Sequence, residues 1–153
     1  MLTNTDLVIL SHLRRNARKS LVNISKETKI PVSTIFDRLS RIENIAVKKY
    51  TSILNFSKLN HNLLINYAIK TIKEQRPELS KFLDTNPQIN SVYRINNGFD
   101  MMVECVFMDL KQKEDFEDSL SRFVHDKKEF HVIEELKKEG FLTNIDGLNK
   151  QDF

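Results

Sequence analysis

The sequence predicts an α+β fold in two parts: an N-terminal helix-turn-helix domain of winged-helix-like type, then a ferredoxin-like βαββαβ domain. Three observations carry this. Apolar residues recur with helical spacing up to about residue 43, then alternate with period two from Leu63. The charge changes sign near the same place: residues 1–58 hold eleven Lys/Arg against four Asp/Glu (+7), residues 59–153 thirteen against seventeen (−4). Asn97-Gly98, a dipeptide suited to the positive φ of a hairpin turn, stands between two apolar runs.

The elements follow in order. Leu7, Leu10 and Leu13 with Ile9 give a first helix over residues 5–15, with Thr5 as its expected N-cap and Asp6 in its first turn. Ser20 caps a second helix carrying Leu21 and Ile24, and the break Thr28-Lys29-Ile30-Pro31 ends it. Pro31 suits the start of a third helix, whose Ile35, Leu39 and Ile42 form a narrow apolar stripe. Asn44 is the expected residue just past its end. Residues 46–53 read as an extended connector that completes a domain of residues 1–53, and 54–61 as a polar linker.

The second domain, residues 62–139, begins with a strand in which Leu63, Ile65, Tyr67 and Ile69 share a face. Pro77 opens a helix bearing Leu79, Phe82 and Leu83, closed by Asp84-Thr85-Asn86-Pro87. Strands over Ile89–Ile95 and Met101–Met108 flank the Asn97-Gly98 turn. Asp109 caps a helix with Phe116, Leu120, Phe123 and Val124 on one side, and a last strand is expected over Glu129–Ile133. The tail, residues 140–153, is unassigned.

Composition bounds the function. The chain has 153 residues, 40% hydrophobic and 29% charged, which is globular composition. No apolar run approaches the ~18 residues of a membrane span, and no leader-like segment opens the chain, so a soluble, cytoplasmic protein is expected. A single cysteine, Cys105, excludes an intrachain disulfide, and the four histidines lack zinc spacing. No cofactor is expected. The positive first half points to a polyanionic partner, and two short helices around a tight turn, the second with a polar and basic outer face, point to double-stranded DNA.

Motifs in register sharpen this. Leu2, Asp6, Ile9-Leu10, Leu13 and Asn16-Ala17-Arg18 match the opening pattern of the Lrp/AsnC (leucine-responsive, feast/famine) transcription regulators of prokaryotes. Ser33-Thr34-Ile35, Arg38-Leu39 and Arg41-Ile42-Glu43 match that family's recognition helix, and Tyr50 matches a tyrosine in its following strand. Asn97-Gly98-Phe99-Asp100 resembles its Gly-x-Tyr-Asp turn, and Lys29 stands where the family usually has glycine.

The resemblance spans residues 2 to about 136. It implies a DNA-binding regulator with its recognition helix in the major groove, acting as a homodimer or a higher even-numbered homo-oligomer. Ser33 and Thr34 are the expected base readers, and Asp37 either accepts from a cytosine amino group or orients Arg38 or Arg41. Arg38 and Arg41 are expected contacts to phosphate or guanine, and Arg18, Lys48 and Lys49 expected backbone contacts, with Lys19 as a further source of attraction. Met101, Val103, Cys105 and Phe107 offer an apolar sheet face for subunit pairing, or for packing on the helices of the same chain. The resemblance also implies an effector site at Asn97, Gly98, Phe99 and Asp100, in which Asp100 either accepts from an α-ammonium group or simply satisfies turn amides. No serine or threonine occurs between Ser121 and Thr143, where the family places hydroxyls near the effector, so common amino acids are expected to bind weakly or not at all. The alternative is an enzyme of the sirohaem decarboxylase type sharing this architecture, for which His12, His61, His125 and His131 are the available acid–base residues.

Overall fold

A computed structural model describes residues 1–144 and resolves two compact units, one of residues 1–52 with 136–144, the other Ile53–Glu135. In the first unit three helices, α1 (Asn4–Arg15), α2 (Leu21–Thr28) and α3 (Val32–Ile45), close around Ile9, Leu10, Leu13, Ile24, Ile35 and Ile42. The N-cap of α1 is Thr3, not Thr5. Thr3 and Asp6 form a reciprocal capping box, which fixes the helix start two residues earlier than apolar spacing alone suggests. Ser20 caps α2 as expected, accepting from the Asn23 N–H at 3.2 Å.

Lys29 turns the corner between α2 and α3 in the left-handed region, φ 63°. Glycine would adopt that conformation without the ~1 kcal/mol steric cost a side chain brings. Pro31, at φ −57°, precedes α3. Asn44 does not end α3: its side-chain amide donates to the Ser40 carbonyl at 2.8 Å and the helix continues to Ile45. Residues 46–55 form no strand. Tyr50 instead ties this connector to α3, its hydroxyl donating to Glu43 Oε1 at 2.9 Å. At the other end of the unit, Arg14 holds Glu139 by its carboxylate (2.8 Å) and carbonyl (2.9 Å), and the Phe141 carbonyl (3.1 Å).

The second unit is a four-stranded antiparallel sheet in the order β2-β3-β1-β4. The strands are β1 (Leu63–Thr71), β2 (Ile89–Arg94), β3 (Met101–Phe107) and β4 (Val124–His131), and the helices α4 (Arg76–Thr85) and α5 (Leu110–Ser121). With β3 between β1 and β2, this is the ferredoxin-like split βαβ arrangement. Ile65, Tyr67 and Ile69 of β1 and Val103, Cys105 and Phe107 of β3 are buried with Leu79 and Leu83 of α4 and Phe116 and Leu120 of α5. The face bearing Val103, Cys105 and Phe107 is therefore the chain's own core, with Met101 partly buried against it, and is not the surface for subunit pairing. Asn97 (φ 66°) and Gly98 (φ 92°) take the positive-φ turn expected of them.

The last strand lies earlier than expected. Val124 belongs to β4 rather than to α5, because α5 ends at Ser121 and the Phe123 carbonyl already accepts the Ile72 N–H at 2.9 Å. Half of its sequence, Val-His-Asp-Lys-Lys-Glu-Phe-His, is charged, as suits an edge strand, and so it carries little hydropathy signal. Most of the unassigned tail lies outside the described residues.

Candidate nucleic-acid interface

Helix α3 presents two polar faces beside its buried Ile35–Ile42 stripe. Ser33, Asp37, Ser40 and Asn44 recur at i, i+4, i+7 and i+11 and are all exposed, making an outward face without a cation. Thr34, Arg38 and Arg41 lie on the flank turned toward α1, where both arginines meet Asp6.

Asp6 is fully buried, and its carboxylate collects four donors. Oδ2 accepts from the Thr3 N–H (2.7 Å), the Thr3 hydroxyl (2.8 Å) and Arg41 Nη2 (2.5 Å), while Oδ1 accepts from Arg38 Nη1 (3.0 Å). Arg38 also donates to Thr3 Oγ1 at 2.8 Å. Burial alone would raise the carboxyl's pKa, but the Thr3 hydrogen bonds, the Arg38 hydrogen bond and the Arg41 charge outweigh it and hold Asp6 at about 2. The two arginine side chains keep 32% and 48% of their surface exposed, so each retains donors that reach solvent.

Several other cations are taken up locally. Lys19 pairs with Glu27 at 2.5 Å and, like Arg15, reaches Nδ1 of the buried His12 at 3.2 Å. Burial, then the charges of Lys19 and Arg15, lower the His12 pKa. Arg18, Lys26, Lys29, Lys48 and Lys49 are exposed and have no ion-pair partner among the described residues. Lys26 and Lys29 precede α3 in the chain and Lys48 and Lys49 follow it, so free positive charge brackets the helix in sequence.

In the second unit Asp100 is already committed. Its Oδ2 accepts from the Thr71 N–H (2.7 Å) and hydroxyl (2.8 Å), hydrogen bonds that lower its pKa, and Arg76 lies 3.8 Å from Oδ1. The Phe99 ring lies under Lys128 Nζ, 5.5 Å from its centroid. The histidines serve different local roles. His61 Nδ1 lies 2.8 Å from the Leu59 carbonyl, His125 is exposed on β4, and His131 lies 3.4 Å from Glu129. Among the described residues no group of His, Cys, Asp or Glu is arranged to hold a metal, and no helix is long and apolar enough to cross a membrane.

One pairing and one residue were not expected from the sequence. The pairing of Asp6 with Arg38 and Arg41 was signalled by a carboxylate at i−3, i−4 and i−7 from Ile9, Leu10 and Leu13, a place in the apolar stripe that needs a partner. Phe36 was signalled by the reverse anomaly, an aromatic ring off the stripe of its helix, and it is 60% exposed.

The family profile for winged helix-turn-helix DNA-binding domains matches residues 2–44. The transcriptional regulator FL11 of Pyrococcus furiosus is 31% identical over 105 residues, covering 68% of this chain and 70% of that one. Among solved structures, Bacillus subtilis LrpC superposes with a TM-score of 0.84 at 20% identity, over 90% of this chain and 98% of that one. The Neisseria meningitidis regulator NMB0573, solved with L-Met, gives 0.83 at 23% identity, over 90% and 94%. At those identities the two structures share the fold, while the FL11 match and the DNA-binding profile extend the likeness to sequence. The chain belongs to the Lrp/AsnC family of DNA-binding transcription regulators.

Proposed function

We propose that this regulator reads operator DNA through the outward face of α3, with Ser33 and Asp37 addressing base edges and Thr34 at the flank. The observation that carries this is the division of labour on α3. Short hydrogen-bonding side chains face outward, while Arg38 and Arg41 are pinned to one flank by Asp6. A guanidinium fixed at the flank of a helix lying in the major groove suits phosphate better than guanine, so both arginines act as preorganised backbone contacts. Arg18, Lys48 and Lys49 add attraction without sequence preference.

Residues 62 onward supply the oligomer. One sheet face is buried under α4 and α5; on the opposite face Leu64, Ala68, Met102 and Val106 lie with Tyr93 and Phe130, which are 59% and 50% exposed. This is the face we assign to subunit pairing. Effector binding centres on Asn97, Gly98, Phe99 and Asp100, and the capture of Asp100 by Thr71 argues for weak or absent binding of common amino acids. The Neisseria relative was solved with L-methionine; calorimetry of this chain against the twenty amino acids decides the point, and a micromolar site abolished by Asp100→Ala would overturn the expectation.

Selection of duplexes from a random library, followed by gel-shift titration over a salt series, tests the DNA reading. Ser33→Ala or Asp37→Ala should change the preferred sequence, whereas Arg18→Ala should weaken binding to all sequences alike and lower the salt slope by about one. Unchanged sequence preference in both α3 variants would remove this face from the contact.

A further inference from the structure

Phe36 is the one large aromatic side chain placed on the exposed surface of α3. It is 60% exposed, and Val32, one turn earlier on the same side, is 40% exposed. Both sit in the N-terminal half of the helix (Val32–Ile45), the half that a helix-turn-helix domain points at base edges. No ring or cation contact involves Phe36 among the described residues, and most of its surface is left to solvent. Leaving a phenyl ring in water has a cost, and its neighbours on the outward side, Ser33, Asp37 and Ser40, are polar groups that form no apolar surface around it.

We propose that Phe36, with Val32 behind it, is a specificity-determining strip that reads the C5-methyl group of thymine in the major groove. The proposal rests on the reading of α3 as the recognition helix. The chemistry is selective because the thymine methyl is the apolar feature the major groove presents, and neither guanine nor adenine offers one at that edge. Asp37, adjacent in the chain, strengthens the choice, since a carboxylate beside the ring favours a cytosine amino group over an acceptor at the neighbouring pair. A protein partner is the weaker occupant. Two side chains expose far less than the ~800 Å² per partner of a stable interface.

The test uses the full chain and duplexes it selects from a random library, with each thymine replaced in turn by deoxyuridine, which deletes the methyl and nothing else. The wild-type protein should lose affinity at one or two positions by about fourfold per methyl, the ratio that burial of one such group corresponds to. Phe36→Ala should bind the thymine and uracil forms of those positions equally, and Phe36→Leu should retain part of the discrimination. Circular dichroism and an unchanged salt slope establish that both variants fold and still contact phosphates. No deoxyuridine effect in the wild type, or the same loss in Phe36→Ala, overturns the proposal. If Ser33→Ala and Asp37→Ala leave the selected sequence unchanged, the recognition-helix reading fails first and this proposal with it. A changed solution mass in Phe36→Ala with discrimination intact would assign the strip to a second copy of the chain instead.

Discussion

Replacing Asp6 by asparagine removes one charge from the centre of the DNA-binding unit and leaves shape and one cap acceptor in place. Asp6 is held at about 2 against an ordinary value of 3.8. A gap of this size corresponds to about 2 kcal/mol of folding stability carried by the ionised form. A depressed folded pKa contributes stability that is complete above the unfolded value and is lost as pH falls through the folded one. The wild type should therefore weaken between about pH 4 and pH 2, and Asp6→Asn should lack that component. At pH 7 the variant should be less stable by about 2 kcal/mol. This is below the ~3–5 kcal/mol of a fully buried pair broken on one side, because the stranded guanidiniums of Arg38 and Arg41 still reach water. Urea titration followed through the amide resonances of Ile9, Ile35 and Ile42 reads this unit separately from the sheet. Equal midpoints at pH 7, or a gap that stays constant down to pH 2, would refute the assignment of Asp6 as the charge that locks α3 to α1.

Four further outcomes follow from the same structure. Because burial and the Lys19 and Arg15 charges lower the His12 pKa, the unit should keep its stability above the ordinary value of 6.5 and lose it as pH falls through the lowered one; amide-resolved titration of His12→Leu should show no such loss. Tyr67→Phe deletes the hydroxyl that donates to Glu117 at 2.8 Å and should cost about 1 kcal/mol in urea unfolding, since Lys113 and Lys127 still pair with that carboxylate. Light scattering should give at least twice the 18.0 kDa chain mass, and Tyr93→Glu with Phe130→Glu should reduce it to one; an unchanged mass would move the interface elsewhere. Lys48→Ala with Lys49→Ala should lower the salt slope of DNA binding by about two and leave the selected sequence alone.

Legibility in the sequence divided by the kind of interaction. Elements whose apolar residues point one way were plain: α3 from its Ile35, Leu39 and Ile42 stripe, β1 from its alternation, and the Asn97-Gly98 turn from the positive φ that its residues accommodate. Edge strand β4 was displaced because its charged residues give no alternation to read, and α5 was extended because Phe123, beyond its end, still lies at helical spacing from Phe116 and Leu120. The residues on α3 were legible one at a time, but not their division between two faces. That division depends on Asp6, which stands 32 positions before Arg38 and 35 before Arg41, and pairings at such separations leave no periodicity in a single sequence.

The same pairings change what the +7 charge of residues 1–58 means. Lys19 is neutralised by Glu27, Arg14 is held by Glu139, and Arg38 and Arg41 share one buried carboxylate. The cations of this stretch without an ion-pair partner among the described residues include Arg18, Lys26 and Lys29 before α3 and Lys48 and Lys49 after it. Cations on an outward helix face add attraction to any duplex, although an arginine there can also read guanine. On the reading proposed above, an outward face kept to Ser33, Asp37, Ser40 and Asn44, with the nearest guanidiniums fixed through Asp6, separates attraction from discrimination. If Asp37 addresses base edges as proposed, it opposes unspecific contact, since a carboxylate facing the duplex is repelled unless a base amino group receives it. On that proposal, specificity in this unit rests as much on where its negative charges stand as on its basic residues.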